Sequence, residues 1–103
     1  MIQHVVMWKI KEFAEEKSKE ELMEIIQEKL NSLPAKINEL RSLTVGSNVV
    51  ASNAAWDVCL VTTFDSVETL RRYQVHPEHQ LVAAFIGKVV TDRAVVDFEI
   101  SGS

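Results

Sequence analysis

The chain has 103 residues, of which 47% are hydrophobic, and a net charge of −4 from 15 acidic and 11 basic side chains. Its length and hydrophobic fraction predict one domain, residues 1–103, that is able to bury a core. The acidic balance, without a basic run, argues against a nucleic-acid partner, and the single cysteine, Cys59, excludes an intrachain disulfide and a multi-cysteine metal site. No apolar stretch approaches the roughly 20 residues of a membrane span, and the opening residues lack the pattern of a secretory signal, so we expect a cytoplasmic protein with no membrane partner.

The first half of the chain predicts a strand, a helix and a second strand. Residues 2–11 alternate between two faces, which is the period of a strand. One of these faces carries Ile2, His4, Val6, Trp8 and Ile10. Ser18 with Glu21 predicts a capping box at the start of a helix. Pro34 is expected to end this helix near residue 33, and residues 35–41 are expected to add one turn. The second strand is predicted from Leu43 to Val50, with Gly46 marking a bulge or a close backbone approach.

The second half of the chain predicts a third strand, a broken helix and a fourth strand, at residues 56–64, 66–87 and 94–100. Asp65 with Glu68 repeats the capping-box pattern at the start of this helix. Pro77 interrupts the helix, because proline lacks an N–H and its ring clashes with the preceding turn. The order β-α-β-β-α-β is that of a ferredoxin-like α+β sandwich, with both helices on one face of a four-stranded antiparallel sheet.

The other face of this sheet is also apolar, and this predicts a homodimer. The predicted residues of that face are Val5, Met7, Cys59, Val61 and Val95, and Asp97 and Glu99 of the last strand are expected on the same side. An exposed apolar patch of this size is uncommon on a monomer. A second copy packed sheet to sheet about a two-fold axis would cover the patch. The alternative is a monomer that tolerates a few exposed valines.

Titratable side chains concentrate at the break in the second helix, where Tyr73, His76 and His79 surround Pro77. Because His4 lies on the sheet face assigned to the helices, we expect His4, Tyr73 and His79 to converge in one pocket. A histidine in such a pocket can accept a proton near neutral pH, and a phenol can donate to a developing oxyanion. The alternative is a hydrogen-bonded polar cluster that stabilises the helix break, since the spacing alone is not a catalytic signature.

A metal or nucleotide cofactor is not expected. His76 and His79 are three residues apart, a spacing at which two histidines on a helix can share a metal ion, but no cysteine or carboxylate cluster completes a zinc site. Pro77 between them also disturbs the helical geometry. The sequence contains neither a glycine-rich phosphate loop nor a dinucleotide fingerprint.

Four segments of the chain resemble the stress-responsive A/B barrel domain family. They are His4-Val-Val-Met-Trp-Lys-Ile-Lys, Phe64-Asp-Ser-Val-Glu-Thr-Leu, Tyr73-x-x-His76-Pro77-x-His79 and Val95-Val-Asp97-Phe98. The resemblance covers nearly the whole chain. It implies a ferredoxin-like chain that dimerises through its sheet into an α/β barrel. Most members of this family have no established reaction, and several plant members are known as stress-responsive proteins.

One plant branch of the family contains a polyketide cyclase, which closes a linear poly-β-keto thioester by aldol chemistry. By resemblance, its catalytic histidine and tyrosine fall on His79 and Tyr73, and a pocket histidine falls on His4. A further pocket tyrosine falls on Ile26, which has no hydroxyl, so the pocket and the substrate are expected to differ.

Two classes of function remain open at this point. In the first, the chain is a stress-responsive domain protein without established activity, homodimeric, that binds a small apolar ligand in a pocket between helix and sheet. In the second, it is a small cofactor-independent enzyme acting on an apolar carbonyl compound, with His79 as the base and Tyr73 as the hydrogen-bond donor. In either case we expect His4, Trp8 and His76 to contact the bound molecule.

Overall fold

In the computed structural model, which describes residues 1–101, the chain forms six strands and three α-helices. The strands are β1 (Ile2–Ile10), β2 (Phe13–Ala14), β3 (Lys17–Ser18), β4 (Ser42–Ser47), β5 (Val58–Phe64) and β6 (Val90–Glu99). The helices are α1 (Lys19–Asn31), α2 (Val67–Val75) and α3 (Pro77–Val89), and a 3-10 turn follows α1 at Leu33–Ala35. The predicted ferredoxin-like α+β fold is confirmed.

The four long strands form one antiparallel sheet in the order β4-β5-β1-β6. Burial alternates strictly along β1, and its five buried residues are those predicted for one face, from Ile2 to Ile10. The helices cover this face with buried side chains, namely Leu22, Ile26 and Leu30 of α1, Leu70 and Tyr73 of α2, and Val82, Ile86 and Val89 of α3. The core therefore lies between the helices and one face of the sheet, where apolar burial stabilises the fold. Within residues 1–101, no helix has the length and apolar character needed to cross a membrane.

The helices α1 and α2 begin with capping boxes, one as predicted and one displaced by a residue. Ser18 Oγ accepts from the Glu21 N–H at 3.3 Å, and the Ser18 N–H donates to Glu21 Oε1 at 3.1 Å. The second box is formed by Ser66 and Thr69, with distances of 3.1 and 3.2 Å, so the prediction of Asp65 with Glu68 is wrong. Asp65 accepts instead from Arg41 Nη2 at 2.8 Å, which leaves the cap to the adjacent serine.

Several predicted boundaries also differ. α1 ends at Asn31, and Pro34 lies inside a three-residue 3-10 turn that is shorter than the turn predicted over residues 35–41. Proline is tolerated there because it occupies one of the first two positions, where an N–H has no intrahelical partner. β4 ends at Ser47, and Gly46 pairs with Cys59 in unbroken register, so no bulge occurs there.

At the other end of the chain, α3 continues through Gly87 to Val89, and β6 starts immediately at Val90 instead of at Ala94. The β2–β3 hairpin was not predicted. Its turn contains Glu15 and Glu16 at positive φ of 50° and 61°, a backbone region that glycine or asparagine usually occupies. The usual sequence signal of a tight hairpin is therefore missing.

The faces of β6 are opposite to those predicted. Val95 pairs with Val6, Asp97 with His4 and Glu99 with Ile2, and paired residues project to the same side of an antiparallel sheet. These three residues of β6 consequently lie on the helix-facing side, and their assignment to the second face is wrong. The second face of β6 carries Ala94, Val96 and Phe98. The error arises because Val95 and Val96 are both apolar, so the sequence alternation does not define which side each faces.

Candidate functional site

A cavity of about 130 Å³ lies between the sheet and the helices α2 and α3. Its polar lining residues are His4, Tyr73, His79 and Arg93, and its apolar walls include Val6, Trp8, Leu60, Val82 and Ile86. The structure therefore brings together the three titratable side chains that were predicted to converge. Trp8, which is 5% exposed, lines the cavity as expected.

The break between α2 and α3 is formed by His76, which ends one helix and begins the next. Its backbone is extended, with φ −64° and ψ 135°, because the residue before a proline avoids the α conformation. Its N–H donates to the Tyr73 carbonyl, and its Nδ1 accepts from the Glu78 N–H, both at 3.1 Å. The predicted break at Pro77 is confirmed. His76 does not line the cavity, because its ring caps α3, and its expected contact with a bound molecule stays a prediction.

This break determines the orientation of His79. In a continuous helix the Gln74 carbonyl would accept from the N–H of residue 78, four residues later, but the Glu78 N–H is directed to the His76 ring. His79 Nδ1 lies 3.1 Å from the Gln74 oxygen. Because a carbonyl only accepts, Nδ1 carries the proton, and the lone pair of the neutral ring is on Nε2. Burial lowers the pKa of the His79 imidazole below its ordinary value of 6.5, against the opposing effect of the bond to Gln74.

The Tyr73 hydroxyl is buried and has no hydrogen-bond partner in the described part of the chain. The side chain is fully buried, and its ring centroid lies 4.4 Å from that of His79 and 4.9 Å from that of Phe64. Its oxygen has no hydrogen-bond partner among residues 1–101, although buried polar groups are nearly always paired. Burial raises the pKa of the phenol to about 12, so Tyr73 keeps its proton and can donate it in a hydrogen bond.

His4 is held by the carboxylate of Asp97, a residue predicted to lie on the opposite face of the sheet. His4 is 3% exposed, and its Nδ1 is hydrogen-bonded to Asp97 Oδ1. A carboxylate oxygen accepts, so the His4 Nδ1–H donates to Asp97. The pair joins the central strand to the edge strand beside the cavity. Only the strand register could have revealed this partner.

Two cavity features were therefore missed from sequence, the Asp97 partner of His4 and the guanidinium of Arg93. Arg93 lies in the first part of β6, ahead of the residue at which the last strand was predicted to start. Within residues 1–101, no group of three or more histidine, cysteine or acidic side chains is placed to hold a metal ion. The site is thus an apolar cavity with two imidazoles, one phenol and one guanidinium.

The chain is similar to proteins of one family along nearly its whole length. A family model described as the stress responsive A/B barrel domain matches residues 2–100. Among curated proteins, none matches the chain significantly.

Solved structures with the same fold include dimeric proteins. A protein of unknown function from Bacteroides fragilis, described as dimeric and ferredoxin-like, is 29% identical with a TM-score of 0.81, over 96% of this chain and 95% of that one. A dimeric ferredoxin-like protein of unknown function from Thermobifida fusca is 26% identical with a TM-score of 0.81, over 96% and 90% of the two chains. A hydroxynitrile lyase from Passiflora edulis also has a TM-score of 0.81 over 99% and 94% of the chains, but at 16% identity this likeness shows the fold alone.

Proposed function

The chain belongs to the stress-responsive A/B barrel domain family, and from this premise we propose that it is a homodimer whose cavity binds a small, largely apolar molecule carrying a carbonyl oxygen. The observation that carries the proposal is Tyr73, which lines the cavity and whose buried hydroxyl has no hydrogen-bond partner among residues 1–101. A buried donor without an acceptor costs about 1–3 kcal/mol. A ligand oxygen at this position would recover that cost, and this favours a carbonyl compound over a hydrocarbon.

The size and walls of the cavity support a ligand with one ring. A dry cavity of about 150 Å³ in an engineered protein binds benzene, and the present cavity of about 130 Å³ is of similar size. Its apolar walls, among them Trp8, Leu60 and Ile86, provide the dispersion contacts that such a ring requires. The two imidazoles and the phenol line the same cavity and can form directional hydrogen bonds with a ligand.

The test is a comparison of two ligands of nearly equal shape, acetophenone and ethylbenzene, by titration with NMR detection of the His79 ring and the Ala83 amide. Acetophenone should bind about tenfold more tightly, since its carbonyl accepts from Tyr73, a hydrogen bond worth about 1 kcal/mol or somewhat more. Tyr73→Phe, which keeps the ring, should remove this preference and leave ethylbenzene unaffected. Absence of binding by both ligands, or equal binding of both to the unmodified protein, would refute the proposal.

A second candidate function is acid–base catalysis on the bound carbonyl compound, and the state of His79 favours it. Its Nδ1 proton is held by Gln74 and its pKa is lowered by burial, so at pH 7 a neutral imidazole offers the Nε2 lone pair. In this reaction Nε2 removes a proton from the carbon next to the carbonyl, and Tyr73 donates a hydrogen bond to the enolate oxygen that forms. Return of the proton to carbon restores the ketone.

This candidate is tested by hydrogen exchange. In D₂O the methyl protons of acetophenone should exchange faster in the presence of the protein, as followed by loss of their NMR signal. His79→Gln should lower the protein-dependent rate about 10²-fold or more, the usual contribution of a general base, while ligand binding persists. An unchanged exchange rate in His79→Gln, or no acceleration by the unmodified protein, would leave the chain as a binding protein only.

The homodimer is supported by the second face of the sheet and by the dimeric relatives. Val5, Met7, Cys59 and Val61 are half-buried in the single chain, and Val96 and Phe98 on the same face are 61% and 44% exposed. The solved structures from B. fragilis and T. fusca are described as dimeric. A second copy packed on this face would remove an apolar patch that monomers rarely expose. Sedimentation at micromolar concentration should show twice the chain mass, and a monomer there would refute it.

A further inference from the structure

The charge of the cavity is unbalanced. None of the lining residues is an aspartate or a glutamate, whereas Arg93 is one of them. Among residues 1–101, the ion pairs within 4.0 Å leave Arg93 without a carboxylate partner. The chain as a whole is acidic, with a net charge of −4. A positive charge at a cavity that no carboxylate lines is therefore a local exception in an acidic chain.

The position of Arg93 separates this charge from the other polar groups. Arg93 pairs with Trp8, and Asp97 pairs with His4. These positions are four residues apart on β6, or roughly 13 Å along a strand. The carboxylate of Asp97 is already bonded to His4, so it does not neutralise Arg93. Arg93 is exposed on an edge strand, which places it at the rim of the cavity with the imidazoles and the phenol further along.

Arg93 and His79 line the same cavity. The pKa of His79 is lowered mainly by burial, and the charge of Arg93 acts in the same direction. A ligand that occupies the cavity would therefore lie between the guanidinium and the imidazole.

We propose that the molecule bound in this cavity is a small carboxylic acid, an aromatic or keto acid of about the size of benzoate, whose carboxylate is bound by Arg93. The inference rests on the proposed binding function and specifies its ligand class. A guanidinium donates two parallel N–H groups to a carboxylate, in a geometry that lysine does not reproduce. The apolar body of the acid lies against Trp8 and the walls formed by β1 and α3. An acyl oxygen at its other end is left to Tyr73.

The experiment compares benzoate with nitrobenzene, which has the same shape but no net charge. Affinities are measured at pH 7 by titration with NMR detection of the His79 ring and the Ala83 amide. Benzoate should bind about tenfold more tightly than nitrobenzene, a gain expected for a charged hydrogen bond that is partly exposed to solvent. The gain should diminish as salt is added, since screening weakens an interaction at the rim, and nitrobenzene binding should not respond to salt.

Arg93→Met should reduce benzoate affinity to the level of nitrobenzene and leave nitrobenzene unchanged. Arg93→Gln provides a second variant if the first fails to fold, as judged by circular dichroism. Arg72→Met changes the total charge equally, but Arg72 lies outside the cavity lining, so it should retain the preference for benzoate. Equal affinities of the two probes, or a preference that survives in Arg93→Gln, would overturn the inference while the binding function stands. Binding of neither probe would overturn both.

Discussion

Tyr73→Phe provides the sharpest test of the site, because the substitution should raise stability while it weakens binding. The change deletes one oxygen and retains the ring contacts with Phe64 and His79. That oxygen is buried and has no partner among residues 1–101, a situation that costs about 1–3 kcal/mol. We therefore expect the ligand-free variant to gain about 1 kcal/mol in its free energy of unfolding.

The measurement is urea unfolding followed by circular dichroism, at one protein concentration because a dimer's stability depends on it. The corresponding rise in Tm is about 4 °C for a chain of this size. Thr62→Val is the matched control: its hydroxyl is also buried but donates to the His4 carbonyl at 3.3 Å, so its removal should give no comparable gain. A loss of about 1 kcal/mol or more in Tyr73→Phe, with unchanged affinity for acetophenone, would refute the interpretation of Tyr73 as an unsatisfied donor.

The other predictions concern the helix break, the His79 ring and the second sheet face. His76→Ala removes the acceptor of the Glu78 N–H and should lower the free energy of unfolding by about 1 kcal/mol. His76→Asn, whose side chain can cap the helix, should restore most of this loss in the same urea titrations. Equal losses in the two variants would argue against a capping role of His76. Because the pKa of His79 is lowered on folding, the unfolded chain binds a proton at this ring more readily than the folded chain. The free energy of unfolding should therefore fall as the pH decreases below about 6.5, and it should fall less in His79→Gln. Identical pH profiles of the two proteins would exclude this contribution of His79. Val61→Lys should convert the dimer to a monomer or unfold it in sedimentation experiments, while Leu81→Lys on the exposed side of α3 should not, and a dimer in both would count against the sheet interface.

The layers of the fold could be predicted wherever the apolar pattern is regular. In β1 every second residue from Ile2 to Ile10 is buried, and the sequence alternation identifies that face without ambiguity. The same alternation placed His4 under the helices, and the proline placed the helix break. These two inferences were sufficient to bring His4, Tyr73 and His79 into one site.

The remaining parts of the site depend on pairing between distant segments. Val95 and Val96 offer two equivalent phases for β6, and only the pairing of Val6 with Val95 decides between them. That choice moves Asp97 beside His4 and Arg93 beside Trp8. The second capping box was assigned to Asp65 instead of Ser66 for a similar reason. Asp65 accepts a hydrogen bond from Arg41, which is far away in the sequence.

The position of β1 in the middle of the sheet has a consequence for how the chain folds during synthesis. Both of its neighbours, β5 and β6, come from the second half of the chain, and at about 5–20 residues per second several seconds pass before β5 leaves the ribosome. During that time an alternating apolar strand has two unpaired edges, which are available to incorrect partners. Pairing over such long sequence separations also slows folding. The earliest of the four sheet strands to be synthesised is therefore the one that must wait for both of its neighbours.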